Sequence, residues 1–269
     1  MTRTAAATGP VPLPARLRGT TFGLVLVITL IAFEAMAVAT ALPTAVRALH
    51  GVRQGVPAAI AFRGMLAGSF FAVESLVPLT LTVGHGLSPA QAGAPLTVGA
   101  LGWSAAAWWQ GRHPQLPRYR LVRAGFALVG TAAVGMAAVS LPGAPAWLAY
   151  PVWCTAGLGA GLTMPSSSIL MLALSPAAER GVNSAALQIA DAVTSAFCIG
   201  IGGVLVAAAE RGAITLSTAA VTVDLLMAGL AGTGCALAAR GRAPAPSAEV
   251  GASAAGVSAV DAPATTLKE

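Results

Sequence analysis

Long apolar stretches dominate this chain and restrict what it can fold into. Seven of them follow one another, near residues 21–46, 62–83, 89–110, 121–141, 146–174, 184–209 and 214–239. Each is long enough to cross a hydrocarbon core of about 30 Å as a helix. Only 9% of the residues are charged, whereas a soluble domain has about 25%. The sequence therefore predicts an all-α polytopic membrane protein with seven transmembrane helices.

The two ends of the chain differ in composition from the apolar stretches. Residues 1–18 are rich in Ala, Thr and Pro and carry three arginines, and residues 241–269 are rich in Ala, Pro, Ser and Thr. Neither segment has enough apolar surface to bury a core. We predict a disordered basic arm over 1–18, a transmembrane bundle over 19–240 and a disordered tail over 241–269. Pro165 predicts a kink or a break in the over-long fifth stretch.

The arginines between the stretches predict the orientation of the helices, because cytoplasmic loops carry an excess of Lys and Arg. The second and fourth loops have none. The first, third and fifth loops and the C-terminal flank hold Arg47, Arg53, Arg63, Arg112, Arg118, Arg120, Arg123, Arg180, Arg240 and Arg242. These segments are predicted to be cytoplasmic. Topology and anionic lipid explain the net charge of +6 better than nucleic-acid binding does.

The N-terminal arm conflicts with this orientation. Seven crossings place the two chain ends on opposite sides, yet the arm also carries Arg3, Arg16 and Arg18. Three explanations are open: the N-terminus is forced outside, the first stretch lies in the interface or inserts late, or an odd number of helices is missing between residues 47 and 63 relative to an ancestor. We favour the third explanation.

Four carboxylates interrupt the apolar stretches: Glu34, Glu74, Asp191 and Asp224. A charge at the centre of a spanning helix costs about 2.5–3.5 kcal/mol, so intramembrane acids mark ion, proton or substrate pathways by default. Each acid also has a structural interpretation. Glu34 would be a protonated acid hydrogen-bonded to a backbone carbonyl or a hydroxyl. Glu74 would pair with Arg63 or with the interface, and Asp224 would serve packing or pair with another helix.

A polar stripe surrounds one of these acids. Ser184, Gln188, Asp191 and Ser195 recur at helical spacing and share one face. A polar face on a spanning helix must look toward protein or water. The stripe therefore predicts either a helix that lines a cavity or hydrogen bonds between helices.

Two glycines of the fifth stretch form a small-xxx-small pair. Gly157 and Gly161 are four residues apart, with Gly159 between them. Such a pair is typical of closely packed membrane helices or of a flexible segment that permits rocking motion.

Several segments resemble the major facilitator superfamily, in its drug:proton antiporter type. Phe33–Pro43 (FEAMAVATALP) is similar to the first helix of that family, and Leu87–Gly93 (LSPAQAG) to the link between the seventh and eighth helices. Gly157–Leu162 with Pro165 resembles the tenth helix, and Glu179–Ala185 resembles the start of the eleventh. The likeness covers residues 21–240 and joins helix one to helices seven to twelve.

The resemblance implies a partial major-facilitator-type bundle in the plasma (inner) membrane. It further implies secondary active, proton-coupled efflux of small amphipathic or cationic compounds by alternating access. The implied proton-coupling and substrate-path residues are Glu34, Glu74, Gln188, Asp191 and Asp224, with Glu34 leading, and the implied cytoplasmic gate residues are Arg112, Arg118 and Arg120. The implied partners are the lipid bilayer, the solute and protons.

The substrate cavity of this family lies between two six-helix halves. This chain would therefore need a second copy of itself or another bundle to enclose one. The alternative is a non-transporting truncated remnant or a membrane scaffold, and a proton channel is less favoured because the acids lie on four different stretches. Phosphate-loop, zinc-type and nucleophile-elbow motifs are not found. We therefore predict no enzymatic activity, no cofactor and no metal site.

Overall fold

A computed structural model describes residues 55–240, and this part of the chain is all-α. Its helices are α1 (Val56–Leu79), α2 (Pro89–Arg112), α3 (Arg118–Val139), α4 (Ala149–Leu174), α5 (Arg180–Glu210) and α6 (Leu216–Arg240). Five helical segments, one for each helix except α2, are long and apolar enough to cross a membrane. The described chain is thus an all-α, multi-pass protein of membrane type. The predicted first span and both predicted terminal segments lie outside the described residues.

α2 has the length of a spanning helix, but its most apolar stretch is less hydrophobic than that of each of the other five helices. Glycine, proline, serine and glutamine residues lie among its apolar side chains. The glycines among them let α2 approach its neighbour closely. Of the seven predicted spans, residues 55–240 contain five that are long and apolar enough to cross a membrane and a sixth helix that is less apolar.

Proline and serine residues set the first turns of α1 and α2. Pro57 lies in the first turn of α1, where a missing N–H loses no helical hydrogen bond. Ser88 caps α2: its Oγ accepts from the backbone N–H of Gln91, while the Gln91 side chain accepts from the backbone N–H of Ser88 at 3.0 Å. This reciprocal pair satisfies two donors that the helix itself leaves free.

Prolines inside the helices change the hydrogen bonding without breaking the helix. After Pro78, the end of α1 widens into a π-helical turn over Thr80–Gly84. α4 continues from Ala149 to Leu174 across Pro165, so the helix does not break at that residue, and the alternative of a kink stays a prediction. A proline deprives the carbonyl four residues earlier of its helical donor, and for Pro165 that carbonyl belongs to Gly161. The side chain that replaces this donor is described below.

Contacts at the helix ends show that consecutive helices run in opposite directions. The Nε2 atom of His85, after α1, lies 2.9 Å from the carbonyl oxygen of Val139 at the end of α3. Gly55, before α1, lies against the side chain of Leu174 at the end of α4. The starts of α1, α3 and α5 and the ends of α2, α4 and α6 therefore share one end of the bundle, which we call the arginine-rich end.

The six helices pack as two matching sets of three. α2 packs mainly on α4, and its counterpart α5 packs mainly on α1. α3 contacts α4, α6 contacts α1, and α3 and α6 contact each other along their length. Since directions alternate and α4 is the third helix after α1, the second set runs in the opposite direction to the first. Helices α1–α3 and α4–α6 thus have corresponding main contacts and opposite directions, as the two units of an inverted repeat do.

Aromatic and aliphatic side chains from α1, α3 and α4 fill the centre of the bundle. Phe70 of α1 stacks at 5.2 Å on the ring of Trp153 of α4, which is 1% exposed. Phe62 meets Phe126 of α3 edge to face at 6.2 Å. α1 is the most buried of the five apolar helices and α5 the least. α5 therefore lies at the periphery and is attached chiefly to α1.

Candidate functional site

An ion pair inside the apolar helices is the main polar feature of the described chain. Nε of Arg63 lies 2.7 Å from Oδ2 and 2.9 Å from Oδ1 of Asp191. Arg63 is seven residues into α1, about 10 Å from its start at 1.5 Å per residue, and Asp191 is about 16 Å from the start of α5. The pair therefore lies below the arginine-rich end, within the span.

Arg63 also binds α4, so that one side chain connects three helices. Its Nη1 donates to the carbonyl oxygen of Met164 at 3.1 Å and is 3.2 Å from Oγ of Ser168. The Arg63 and Asp191 side chains keep 16% and 17% of their surface accessible. A charge that is desolvated to this degree needs a partner and further hydrogen bonds to be tolerated. Asp191 is the partner of Arg63, and Met164 and Ser168 of α4 supply the further hydrogen bonds.

Glycines on α1 allow α5 to approach this pair closely. A Cβ atom at Gly64 would lie 2.8 Å from Oγ1 of Thr194, and one at Gly68 would lie 2.9 Å from Sγ of Cys198. At either position a larger residue would force the Thr194 or Cys198 side chain to shift, so glycine permits the close approach. The two glycines are four residues apart, the spacing that brings membrane helices into backbone contact. This contact fixes the position of Asp191 against α1.

The predicted polar stripe of α5 divides into two parts. Asp191 points to Arg63, and Ser195 Oγ, one turn further, is buried with no hydrogen-bond partner among the described residues. Gln188 is exposed, and Ser184 is half-buried. The prediction that the stripe provides bonds between helices is confirmed at Asp191. Gln188 is not brought into the ion pair, and its proposed place on a path stays a prediction.

Glu74 lies elsewhere on α1. It is half-buried, and no hydrogen bond to its carboxylate is present within residues 55–240. Its predicted pairing with Arg63 is wrong, because Arg63 binds Asp191 instead. Eleven residues separate Arg63 from Glu74, about 16 Å along the helix. The two acids on α1 and α5 are therefore at different depths.

Asp224 lies near the opposite end of the bundle. It is 3% exposed and accepts a hydrogen bond from Oγ of Ser140, which follows α3, at 3.3 Å. Ser217 donates to the carbonyl oxygen of Ser140 at 2.5 Å. These bonds attach the start of α6 to the end of α3. Their geometry favours the structural interpretation of Asp224 over a place beside Asp191.

Of the predicted gate residues, Arg118 belongs to a polar network. Gln110, near the end of α2, is 2% exposed. Its Nε2 donates to the carbonyl oxygen of Gly161 at 2.5 Å, and its Oε1 accepts from Oγ of Ser166 at 2.8 Å and from Nη1 of Arg118 at 3.3 Å. Gln110 thus replaces the donor that Pro165 removes from Gly161. Neighbouring helices commonly satisfy backbone groups that prolines free in membrane helices.

The other two predicted gate residues lie outside this network. Arg112 is exposed and stacks with its guanidinium 3.9 Å from the ring centre of Trp108. Arg120 is exposed at the start of α3. Both belong to the arginine-rich end, as the arginine count predicted, but neither holds α2 or α3 against α4. Arg118, through Gln110, is the side chain that does so.

The prediction of close packing at Gly157 and Gly161 is confirmed. A Cβ atom at Gly157 would overlap the carbonyl oxygen of Gly99 in α2, and one at Gly161 would overlap that of Trp103. On the other side of α4, Gly159 faces Gly125 of α3. α4 is therefore held between α2 and α3 at backbone distance.

Sequence reasoning misses three members of these networks. It counts Arg63 as a loop charge, and it does not single out Gln110 or Ser166. A usable signal is present for Gln110, since an amide in an apolar stretch needs partners and Pro165 leaves a carbonyl without a donor. For Arg63 the signal is its position one residue inside the predicted span 62–83.

No protein-family model matches this sequence, and a comparison with curated proteins finds no matching relative. Within residues 55–240, no group of three or more His, Cys, Asp or Glu side chains is arranged to hold a metal ion. The described site contains a carboxylate paired with an arginine inside apolar helices.

Proposed function

We propose that this chain is a secondary active transporter of the plasma (inner) membrane that exports small amphipathic or cationic compounds in exchange for protons. The observation that carries the proposal is the Arg63–Asp191 ion pair inside apolar helices. Ionisable groups in such helices are costly and mark proton or substrate pathways.

The inverted repeat supports a transporter of the major facilitator type. Nested three-helix inverted repeats occur within each six-helix half of that superfamily. Helices α1–α3 and α4–α6 pack in this relation. The residues that resemble helices seven to twelve of the family are also the residues that form α1–α6. In this assignment the described bundle corresponds to one half of a complete transporter.

The proposed coupling step is a change in the partner of Asp191. In the described state the ionised carboxylate holds α5 to Arg63, and Arg63 holds α4. A proton on Asp191 removes its charge and with it most of the attraction to Arg63. The close α1–α5 contact remains through Gly64 and Gly68, so α5 would rock on α1 rather than separate from it. Such rocking is the basis of alternating access.

The proposed substrate path passes the accessible part of this site. Glu74 and Asp191 are acids at different depths on α1 and α5, and Gln188 is exposed about one turn from Asp191 on α5. A cationic compound would compete with Arg63 for the carboxylate of Asp191. Glu34, outside the described residues, would complete the path as the leading proton-coupling acid. A second copy of the chain would supply the opposite wall of the cavity.

A flux assay tests this proposal. The purified chain in proteoliposomes with an imposed proton gradient is expected to accumulate ethidium against its concentration gradient, and Asp191→Asn is expected to reduce uptake to the level of protein-free vesicles. Glu210→Gln is the matched control, because this acid lies exposed at the end of α5 and uptake should not change.

One result would reject transport by this chain, and another would reject the coupling role of Asp191. Wild-type chain that moves no ethidium at any protein-to-lipid ratio would favour the non-transporting remnant or scaffold. Uptake that survives Asp191→Asn would leave transport intact but remove Asp191 from the coupling step.

A further inference from the structure

A groove on the outer side of the bundle has a charge at one end only. It lies between α3 and α6, has a volume of about 750 Å³ and is walled mainly by small apolar residues. Gly232 deepens the groove because it has no side chain, and a Cβ atom at this position would meet nothing within 4 Å. Arg123 is the charged residue of the lining. This volume is in the range of about 300–1,000 Å³ for ligand pockets.

The groove has the length of one membrane leaflet. On α3 it runs from Arg123 to Val134, and on α6 from Ala239 to Ala228. Eleven residues of helix cover about 16 Å, which is half of a hydrocarbon core of about 30 Å. Arg123 and Ala239 both lie toward the arginine-rich end. The groove therefore extends from the headgroup level at that end to the middle of the apolar layer.

Arg123 has the position and the freedom to bind an anion. Its side chain is exposed, and the ion pair of the described chain involves Arg63 rather than Arg123. Arg120, three residues earlier, is also exposed and lies on a neighbouring part of the same helix face. An arginine at headgroup level attracts anionic lipid with about 1 kcal/mol of favourable energy, and Arg123 is the one that lines the groove.

A second groove provides a comparison within the same molecule. It lies between α5 and α6, has a volume of about 660 Å³ and has no charged residue in its lining. The two grooves are similar in size and in apolar character. Arg123 therefore distinguishes the α3–α6 groove from a general lipid-facing furrow.

We propose that the α3–α6 groove binds one anionic phospholipid from the leaflet at the arginine-rich end, with its phosphate on Arg123 and one acyl chain lying along the groove over Gly232. This site is separate from Asp191 and does not depend on transport. The bound lipid would fill the open space beside Gly232. The occupant is defined by its chemistry, an acyl chain carrying a negative headgroup.

Native mass spectrometry of the purified full chain tests the proposal, with phosphatidylglycerol and phosphatidylcholine of the same acyl chains as probes. The wild type is expected to bind one phosphatidylglycerol about fivefold more tightly than phosphatidylcholine, and Arg123→Gln is expected to remove that preference. Gly232→Leu fills the groove and is expected to weaken binding of both lipids by about threefold or more. Because a Cβ atom at this position meets no neighbouring atom, the fold should be retained.

Matched variants separate this site from general lipid adhesion. Gly200→Leu fills the α5–α6 groove, and Arg211→Gln removes an exposed arginine at the opposite end. Neither is expected to alter the preference for phosphatidylglycerol. Equal binding of both lipids to the wild type, or equal effects of Gly232→Leu and Gly200→Leu, would overturn the proposal. It would also be overturned if Gly232→Leu dissociated a dimer without releasing lipid, because the groove would then be a subunit interface.

Discussion

Replacing Arg63 with methionine is expected to lower the free energy of unfolding by about 3 kcal/mol. Removing one partner of a buried ion pair typically costs about 3–5 kcal/mol, because the other charge is left without compensation. The lower end applies here, since 16–17% of each side chain remains accessible. Met164 and Ser168 of α4 also lose their guanidinium partner. Denaturation by titrated sodium dodecyl sulfate from detergent micelles measures the change.

A double-mutant cycle assigns this loss to the pair. Asp191→Leu alone should also destabilise, whereas Arg63→Met with Asp191→Leu should recover much of the loss, because apolar replacement of a buried pair is often neutral or favourable. Arg211→Met, at an exposed position, is the control and should change stability by no more than about 0.5 kcal/mol. Strictly additive single effects would mean that Arg63 and Asp191 do not interact.

Gly157→Ala is expected to destabilise the bundle by about 2 kcal/mol or more, and Gly157→Leu to prevent folding. The added Cβ would overlap the carbonyl oxygen of Gly99, which is backbone and cannot move aside as a side chain can. α2 would have to shift along its whole contact with α4. Overpacking of a closely packed site typically costs about 1–3 kcal/mol, and occasionally more.

The control for this prediction is the same substitution at an open position. A Cβ atom added at Gly203 of α5 would meet nothing within 4 Å, so Gly203→Ala should be neutral or stabilise the helix by up to about 1 kcal/mol. Detergent-unfolding midpoints of the two variants give the comparison. Equal stability of Gly157→Ala and Gly203→Ala would show that α2 and α4 are further apart than the described contact.

The helices are predictable from the sequence because a helix that crosses a bilayer needs about 20 consecutive, mainly apolar residues. The predicted stretches 121–141, 146–174, 184–209 and 214–239 correspond to α3–α6 within a few residues. The start of α1 is predicted six residues too late, since the continuous apolar run begins at residue 62. Pro57 begins the helix at Val56 instead. That shift moves Arg63 from a loop to a position two turns inside the helix.

The site is only partly predictable, because its pairs depend on which helices are neighbours. The inward face of Asp191 follows from the spacing of the stripe, but its partner does not, and the sequence suggests Glu74 as the acid for Arg63 instead. Likewise the role of Gln110 requires knowing that α2 lies along Gly161 of α4. A single sequence shows which side chains share one face of a helix. It does not show which helices are neighbours, because that depends on the packing of glycines such as Gly64 and Gly157.

The central claim is that α1–α6 cross a bilayer as two inverted sets of three helices, and cysteine accessibility in intact cells tests it most directly. Single cysteines are introduced into a chain with Cys154, Cys198 and Cys235 replaced by alanine. The exposed positions are Ala90, in the first turn of α2, and Leu141, Ala213, Gln115 and Ala178, which lie between the helices. A membrane-impermeant maleimide is expected to label Ala90→Cys, Leu141→Cys and Ala213→Cys in intact cells. Gln115→Cys and Ala178→Cys are expected to react only after permeabilisation. Labelling of Ala90→Cys and Gln115→Cys from the same side would show that α2 does not cross, and would contradict the inverted arrangement.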